Sequence, residues 1–178
     1  MNRRTWFGFF AVTVISTVPV NHASGQLRSL LGGGTEIDVI STKDLAALLD
    51  KRQAEEDKAK EAGETAKPWK FVLVDVRTQE ELDVSVIPGA ITKAEYEKNQ
   101  AKYSGKTVIP YCTIGGRSGA YAKKLAKDGV SVKNYKGSIL DWVKNEMPVV
   151  TLKGESTNRV HTYSDRYTIP SKYEQVTR

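Results

Sequence analysis

One cysteine, Cys112, and two histidines, His22 and His161, supply all the thiol and imidazole of the 178 residues. A lone cysteine forms no internal disulfide, so the fold must stand on its hydrophobic core. Its solitude also excludes cysteine-type zinc sites and Cys-x-x-Cys dithiol chemistry. His22 falls in an apolar amino-terminal stretch and His161 in a polar carboxy-terminal one, where it reads as a solvated tail residue, so no Cys–His catalytic pair is expected. The residues call for no metal and no organic cofactor. Dense Lys/Arg runs and aromatic–basic interleaving are missing as well. Lys and Arg outnumber Asp and Glu by 27 to 21, for a net charge of +6, yet the scatter of these residues speaks for a basic solvated surface and against a nucleic-acid partner. There are no convincing internal repeats, and the length suits one ordinary domain better than two.

What is present begins with a targeting pattern. Arg3 and Arg4 form a short positive region, Trp6 to Val20 is almost wholly apolar, and Ala23-Ser24-Gly25 offers small residues for a signal peptidase. Residues 1–25 therefore read as a signal peptide cleaved after Gly25. The alternative is a retained membrane anchor, because Thr5 to Leu27 carries no Asp, Glu, Lys or Arg, although Pro19, Asn21 and His22 spoil its second half. Either way the domain is expected beyond the membrane, periplasmic or extracellular if cleaved and anchored on the non-cytoplasmic side if not. A membrane partner arises only in the anchored case. A lipidated signal is excluded, since it needs a cysteine there.

Cys112 stands where an apolar strand (Val108, Ile109, Tyr111) turns into a helix, and it is followed by Thr113-Ile114-Gly115-Gly116-Arg117-Ser118. The glycines let backbone N–H groups turn inward, and a helix beginning near Ser118 directs its positive end at the sulfur. With Arg117 beside it, such a setting lowers a thiol below the ~8.5 of free cysteine and gives a reactive anion. A buried structural cysteine is the competing reading. That role has no need of a Gly-Gly-Arg loop.

Three separated motifs then resemble the rhodanese (thiosulfate sulfurtransferase-like) domain: Phe71 to Glu81, Val86-Ile87-Pro88-Gly89-Ala90, and the Cys112 loop in the pattern Cys-x-x-Gly-x-Arg. Tyr135 to Trp142 is similar to the family's closing Gly-to-Trp segment, and the likeness covers roughly 36–150. It implies an α/β, three-layer fold with a mainly parallel sheet and helices on both faces. It also implies sulfane-sulfur transfer through a Cys112 persulfide, from thiosulfate or a related anionic donor to a thiol or cyanide, with residues 113–118 as the active-site loop and Asp75 and Arg77 as structural support. A non-catalytic binding, carrier or sensor module is the alternative. A phosphatase of this fold would separate cysteine and arginine by five residues, and here only 113–116 intervene. Three positions depart from the pattern: Val86 where His is frequent, Thr113 where some active members have Arg, and Ser138 in a place often held by Gly.

Along the chain, 26–35 reads as a flexible linker around Gly32-Gly33-Gly34, and Ile37–Ile40 as a short strand. Ser41 or Thr42 caps a helix with Leu45, Leu48 and Leu49 on one face. Residues 51–67, with five basic and five acidic side chains, extend that helix or form a charged insertion until Gly63 and Pro68. Phe71–Val76 is a strand covered on both faces, from whose end Asp75 and Arg77 are expected to leave on opposite sides. Short helices follow at Glu80–Leu82 and Glu95–Tyr103, a central strand at Val108–Tyr111, a helix at Ser118–Asp128, a strand at Val130–Tyr135 and a closing helix around Trp142. Strands alternating with helices imply parallel pairing. Beyond Val150 the aliphatic pattern stops, so 151–178 reads as a polar tail, surface-lying or disordered, and deletion of 154–178 is expected to leave the fold and any sulfur transfer largely intact. Its tyrosines, Tyr163, Tyr167 and Tyr173, could clasp the domain or a partner.

Overall fold

The computed structural model describes residues 36–177; the expectations for 1–25 and for 26–35 lie outside the described residues. Ser41 caps helix α1 (Thr42–Glu61) by accepting a hydrogen bond from the Asp44 amide at 3.1 Å. Leu45 is fully buried while Leu48 and Leu49 pack partly against the core, and the charged stretch continues the helix to Glu61, just before Gly63 at φ +68°. Thr42 is not the cap. Its hydroxyl is buried against the Tyr135 hydroxyl and the Asp141 carboxylate.

The sheet is built from β1 (Phe71–Asp75), β2 (Ile91–Thr92) and β3 (Thr107–Tyr111), all parallel and in the order β2-β1-β3. Single parallel bridges extend it from Val108 to Val132 and from Asn134 to Val39, so the strands expected at 37–40 and 130–135 survive as short bridged segments. Alternation along β1 and β3 divides the core. Leu73, Ile109 and Tyr111 face one cluster with Leu45, Tyr135, Ile139 and Val143, while Val72, Val74 and Val108 face the other with Tyr96, Tyr121 and Leu125. Burial on both faces explains why these strands read as continuous apolar runs.

Of the remaining helices, α2 (Gln79–Leu82) is a single turn after β1, α3 (Lys93–Lys98) with a 3₁₀ turn at Gln100–Tyr103 and α4 (Gly116–Lys127) belong to the Tyr96 cluster, and α5 (Ser138–Lys144) joins α1 in the Leu45 cluster. Among the described residues no helix is long and apolar enough to cross a membrane.

The carboxy-terminal segment corrects the expectation of a surface-lying or disordered tail. It contributes β4 (Val149–Val150) against β5 (Ser156–Thr157), and β6 (Arg159–His161) parallel to β7 (Glu174–Val176). Val160 and Thr162 are fully buried, and Tyr173 joins the Leu45 cluster with its hydroxyl donating to the Met147 carbonyl at 2.5 Å. His161 is buried too, not solvated. The physical reason is pairing: strands of two or three residues recruit single buried side chains, which leave no periodicity to read.

Candidate active site

β3 ends at Tyr111, and the next residue is Cys112, whose side chain is almost fully buried. The chain then turns through Gly115 at φ +93°, where a Cβ would collide with the Lys136 carbonyl, and enters α4 at Gly116. Only glycine fits that position. The turn brings the Gly115 amide to 3.1 Å from the Cys112 sulfur. Burial pushes the thiol up, but hydrogen bonds from the amides of Ser118, Gly115 and Ile114, with the Ser138 hydroxyl, outweigh it and hold Cys112 below its ordinary value. The arrangement favours an anionic sulfur surrounded by N–H donors.

Ser138 belongs to this site, and sequence reading passed over its contribution. Its backbone adopts φ +58°, in the left-handed region that glycine adopts freely. The hydroxyl accepts from the Cys112 amide at 3.0 Å, and lies 3.0 Å from the Tyr135 carbonyl and 3.8 Å from the Cys112 sulfur. A side chain at a glycine-like position thus braces Cys112 from the α5 side.

Arg117 is braced by a carboxylate that was not among the sequence-derived site residues. Glu81, buried at the end of α2, receives Arg117 Nη1 at 2.6 Å and Nη2 at 2.7 Å, the Thr113 hydroxyl at 2.6 Å and the Thr78 amide at 3.0 Å. Desolvation would raise its pKa, but the bonds from Arg117, Thr113 and Thr78 bring it down to about 2. The same bond to Glu81 raises Arg117, burial opposes this, and the charge on Cys112 adds to the rise. A capping-box spacing, Thr78 to Glu81, was the available signal; nothing local says that its carboxylate also meets Arg117.

Asp75 and Arg77 form a second buried pair, which corrects the expectation of opposite faces. Residues two apart on an extended chain share a side, and Arg77 folds back so that Nε and Nη2 reach the Asp75 carboxylate at 2.9 and 2.7 Å. Nη2 also donates to the Ser85 carbonyl at 2.6 Å, tying β1 to the segment before Ile87. Neither residue shares a hydrogen bond with the Cys112 loop; they support the strand on which the site is built.

A cleft of about 270 Å³ lies over the loop, lined by Cys112, Ile114, Gly116, Arg117, Tyr163 and Tyr167 with Thr113. The two tyrosines come from the carboxy-terminal segment. Tyr163, at φ +65°, is exposed and its ring lies 6.0 Å from the Arg117 guanidinium. Its amide donates to His161 Nδ1 at 3.1 Å, which leaves the ring proton on Nε2. Burial lowers the His161 pKa, with Glu81 opposing and Arg77 and Arg117 assisting. Among the described residues no cluster of His, Cys, Asp and Glu could hold a metal ion.

The family model of the rhodanese-like domain matches residues 41–145. Among solved structures, a thiosulfate sulfurtransferase from Pseudomonas aeruginosa shares the fold at a TM-score of 0.51 and 21% identity, over 67% of this chain and 21% of that one. This chain thus spans about a fifth of that enzyme's length. A rhodanese-related protein from Thermoplasma volcanium matches at a TM-score of 0.45 and 23% identity, over 64% of this chain and 97% of that one. A Bacillus halodurans protein matches at 0.48 and 25%, over 66% and 79%. No curated protein matches the chain.

Proposed function

The chain belongs to the rhodanese-like domain family, and from that premise we propose that it is a sulfurtransferase working through a Cys112 persulfide. The Cys112 thiolate attacks the outer sulfur of thiosulfate or a related donor. The donor's S–S bond breaks and sulfite leaves with its electron pair. A thiolate or cyanide then takes the terminal sulfur and restores the Cys112 thiolate. Amides at 114, 115 and 118 suit a persulfide anion as an oxyanion hole suits oxygen.

The observation that carries this reading is the sulfur-facing turn. The Gly115 amide stands 3.1 Å from the sulfur, and the backbone donors outweigh burial to hold the thiol low. An inert buried cysteine in an apolar surrounding would be shifted the other way. Thiocyanate formation from thiosulfate and cyanide tests it: the wild type should turn over, and Cys112→Ser should not while unfolding at the same temperature. Equal turnover by the variant overturns the assignment.

A second reading, a persulfide carrier or thiol-binding module, draws support from Arg117. Both of its terminal nitrogens are engaged by Glu81, so its charge is committed to the loop more than to a donor anion. The two separate on turnover, because a carrier accepts one sulfur and releases it slowly to cyanide.

For location we propose export, on the positive region, apolar run and small-residue site of 1–25. Sequencing the amino terminus of exported protein should give Gln26. Recovery of intact Met1–Gly25 in membranes would instead mean an anchor.

A further inference from the structure

The cleft over Cys112 is not made by the family-matched region alone. Residues 41–145 supply Cys112, Ile114, Gly116 and Arg117, whereas Tyr163 and Tyr167 belong to a strap that follows. The strap is held in place from both sides. Thr162 is buried and its amide donates to the Val176 carbonyl at 2.9 Å. The Gln175 side-chain amide reaches the Thr162 hydroxyl at 2.8 Å and the Tyr167 carbonyl at 2.9 Å. Tyr163 takes up a left-handed backbone that a bulky residue adopts only under constraint, and it does so beside Arg117.

The chemistry of this wall is apolar and aromatic. Among the described residues four large apolar side chains are exposed, and two of them, Ile114 and Tyr163, border this one cleft. Exposed apolar groups gathered at a concave site mark a ligand surface. No lysine lines the cleft, and the terminal nitrogens of Arg117 are held by Glu81. Within the cleft itself a small divalent anion therefore finds little free positive charge. Ile114 and Tyr167 also border a second groove, of about 460 Å³, beside Lys136 and Lys144, so the surface has room for a body larger than an inorganic ion.

We propose that Tyr163 and Tyr167 are specificity-determining residues that favour organic sulfane-sulfur donors with a flat, apolar group, R–SO₂–S⁻ or R–S–S⁻, over thiosulfate. This rests on the sulfurtransferase reading. The step is unchanged in its balance: the Cys112 thiolate bonds to the outer sulfur, the donor's S–S bond breaks, and sulfinate or thiolate leaves with the electron pair. What the strap adds is contact between R and the aromatic wall.

The test compares benzenethiosulfonate, methanethiosulfonate and thiosulfate as donors to the full chain, following Cys112 persulfide by intact mass. Each rate is divided by that of N-acetylcysteine with the same donor, which removes the intrinsic reactivity of the leaving group. The wild type should favour the phenyl over the methyl donor by ~10-fold or more, the range a well-lined apolar pocket gives. Tyr163→Ala/Tyr167→Ala should bring that ratio to within about twofold. Tyr163 is exposed, so Tyr163→Ala alone, expected to lower the ratio by about half or more, serves if the double variant does not fold. A wild-type ratio near one with Cys112 still persulfidated overturns this proposal and leaves the sulfurtransferase reading standing. A ratio undiminished in the variants removes the tyrosines from the role. No persulfide from any of the three donors overturns both.

Discussion

The Cys112 loop and the carboxy-terminal strap meet at one cleft, but they are held together in opposite ways. The loop is a local object: within seven residues, 112–118, glycine geometry and helix-end amides converge on a single sulfur. The strap is assembled from far-apart pieces, with β6 and β7 pairing across Arg159 to Val176 and Tyr173 reaching back to Met147. The difference separates what neighbouring residues can build from what only the whole fold can. A short-range turn fixes the Cys112 sulfur, and long-range packing builds the wall beside it.

Breaking the strap should have the largest effect. Removing 154–178 strips the core of Val160 and Tyr173, and losses of this kind run to about 4 kcal/mol or more, enough to lower the unfolding temperature by roughly 10 °C or abolish cooperativity. Calorimetry of the truncated chain checks it; an unchanged transition would return the segment to the status of a tail.

On the loop side, Arg117→Ala leaves the buried Glu81 carboxylate with only its bonds to Thr78 and Thr113. The expected destabilisation is about 3 kcal/mol, read by urea unfolding. Added salt should not reproduce it. A large fall in apparent thiosulfate affinity at unchanged stability would show that Arg117 binds the donor and does not brace the loop.

A smaller effect follows from acid. Glu81 titrates near 2 in the fold against its ordinary 4.5. A depressed carboxylate adds stability that is fully present above about 4.5 and is lost as the pH falls toward 2, on the order of 2 kcal/mol here since Arg117 is partly exposed. Glu81→Gln should flatten that limb of the stability–pH curve. If the curve keeps its shape, the network around Glu81 is not what holds the loop.

The smallest contrast is a single hydroxyl. Tyr173→Phe keeps the ring in the core and deletes the bond to Met147, for a loss of about 1 kcal/mol. No change in chemical denaturation midpoint would mean that the ring alone anchors the strap.

The same local-versus-distant divide decides what could be read from the sequence. The strand, turn and helix around Cys112 were legible because spacing and glycine placement encode them over a few residues. The β1 and β3 runs were legible because both faces are buried. Glu81 was not, since its partners Thr113 and Arg117 lie more than thirty residues away and only the fold brings α2 to the loop. The strap was not, because Val160, Thr162 and Tyr173 are isolated buried positions among polar neighbours. The Asp75–Arg77 contact is not what an opposite-face reading of the strand end gives; it follows from the two-residue period, which puts both side chains on one side.

The central claim is that Cys112 is an activated thiolate that accepts sulfane sulfur. Intact-mass analysis of the chain after exposure to thiosulfate tests it most directly. One added sulfur, absent from Cys112→Ser and removed by cyanide, is the predicted result; an unchanged mass at every pH at which free cysteine is ionised would contradict it.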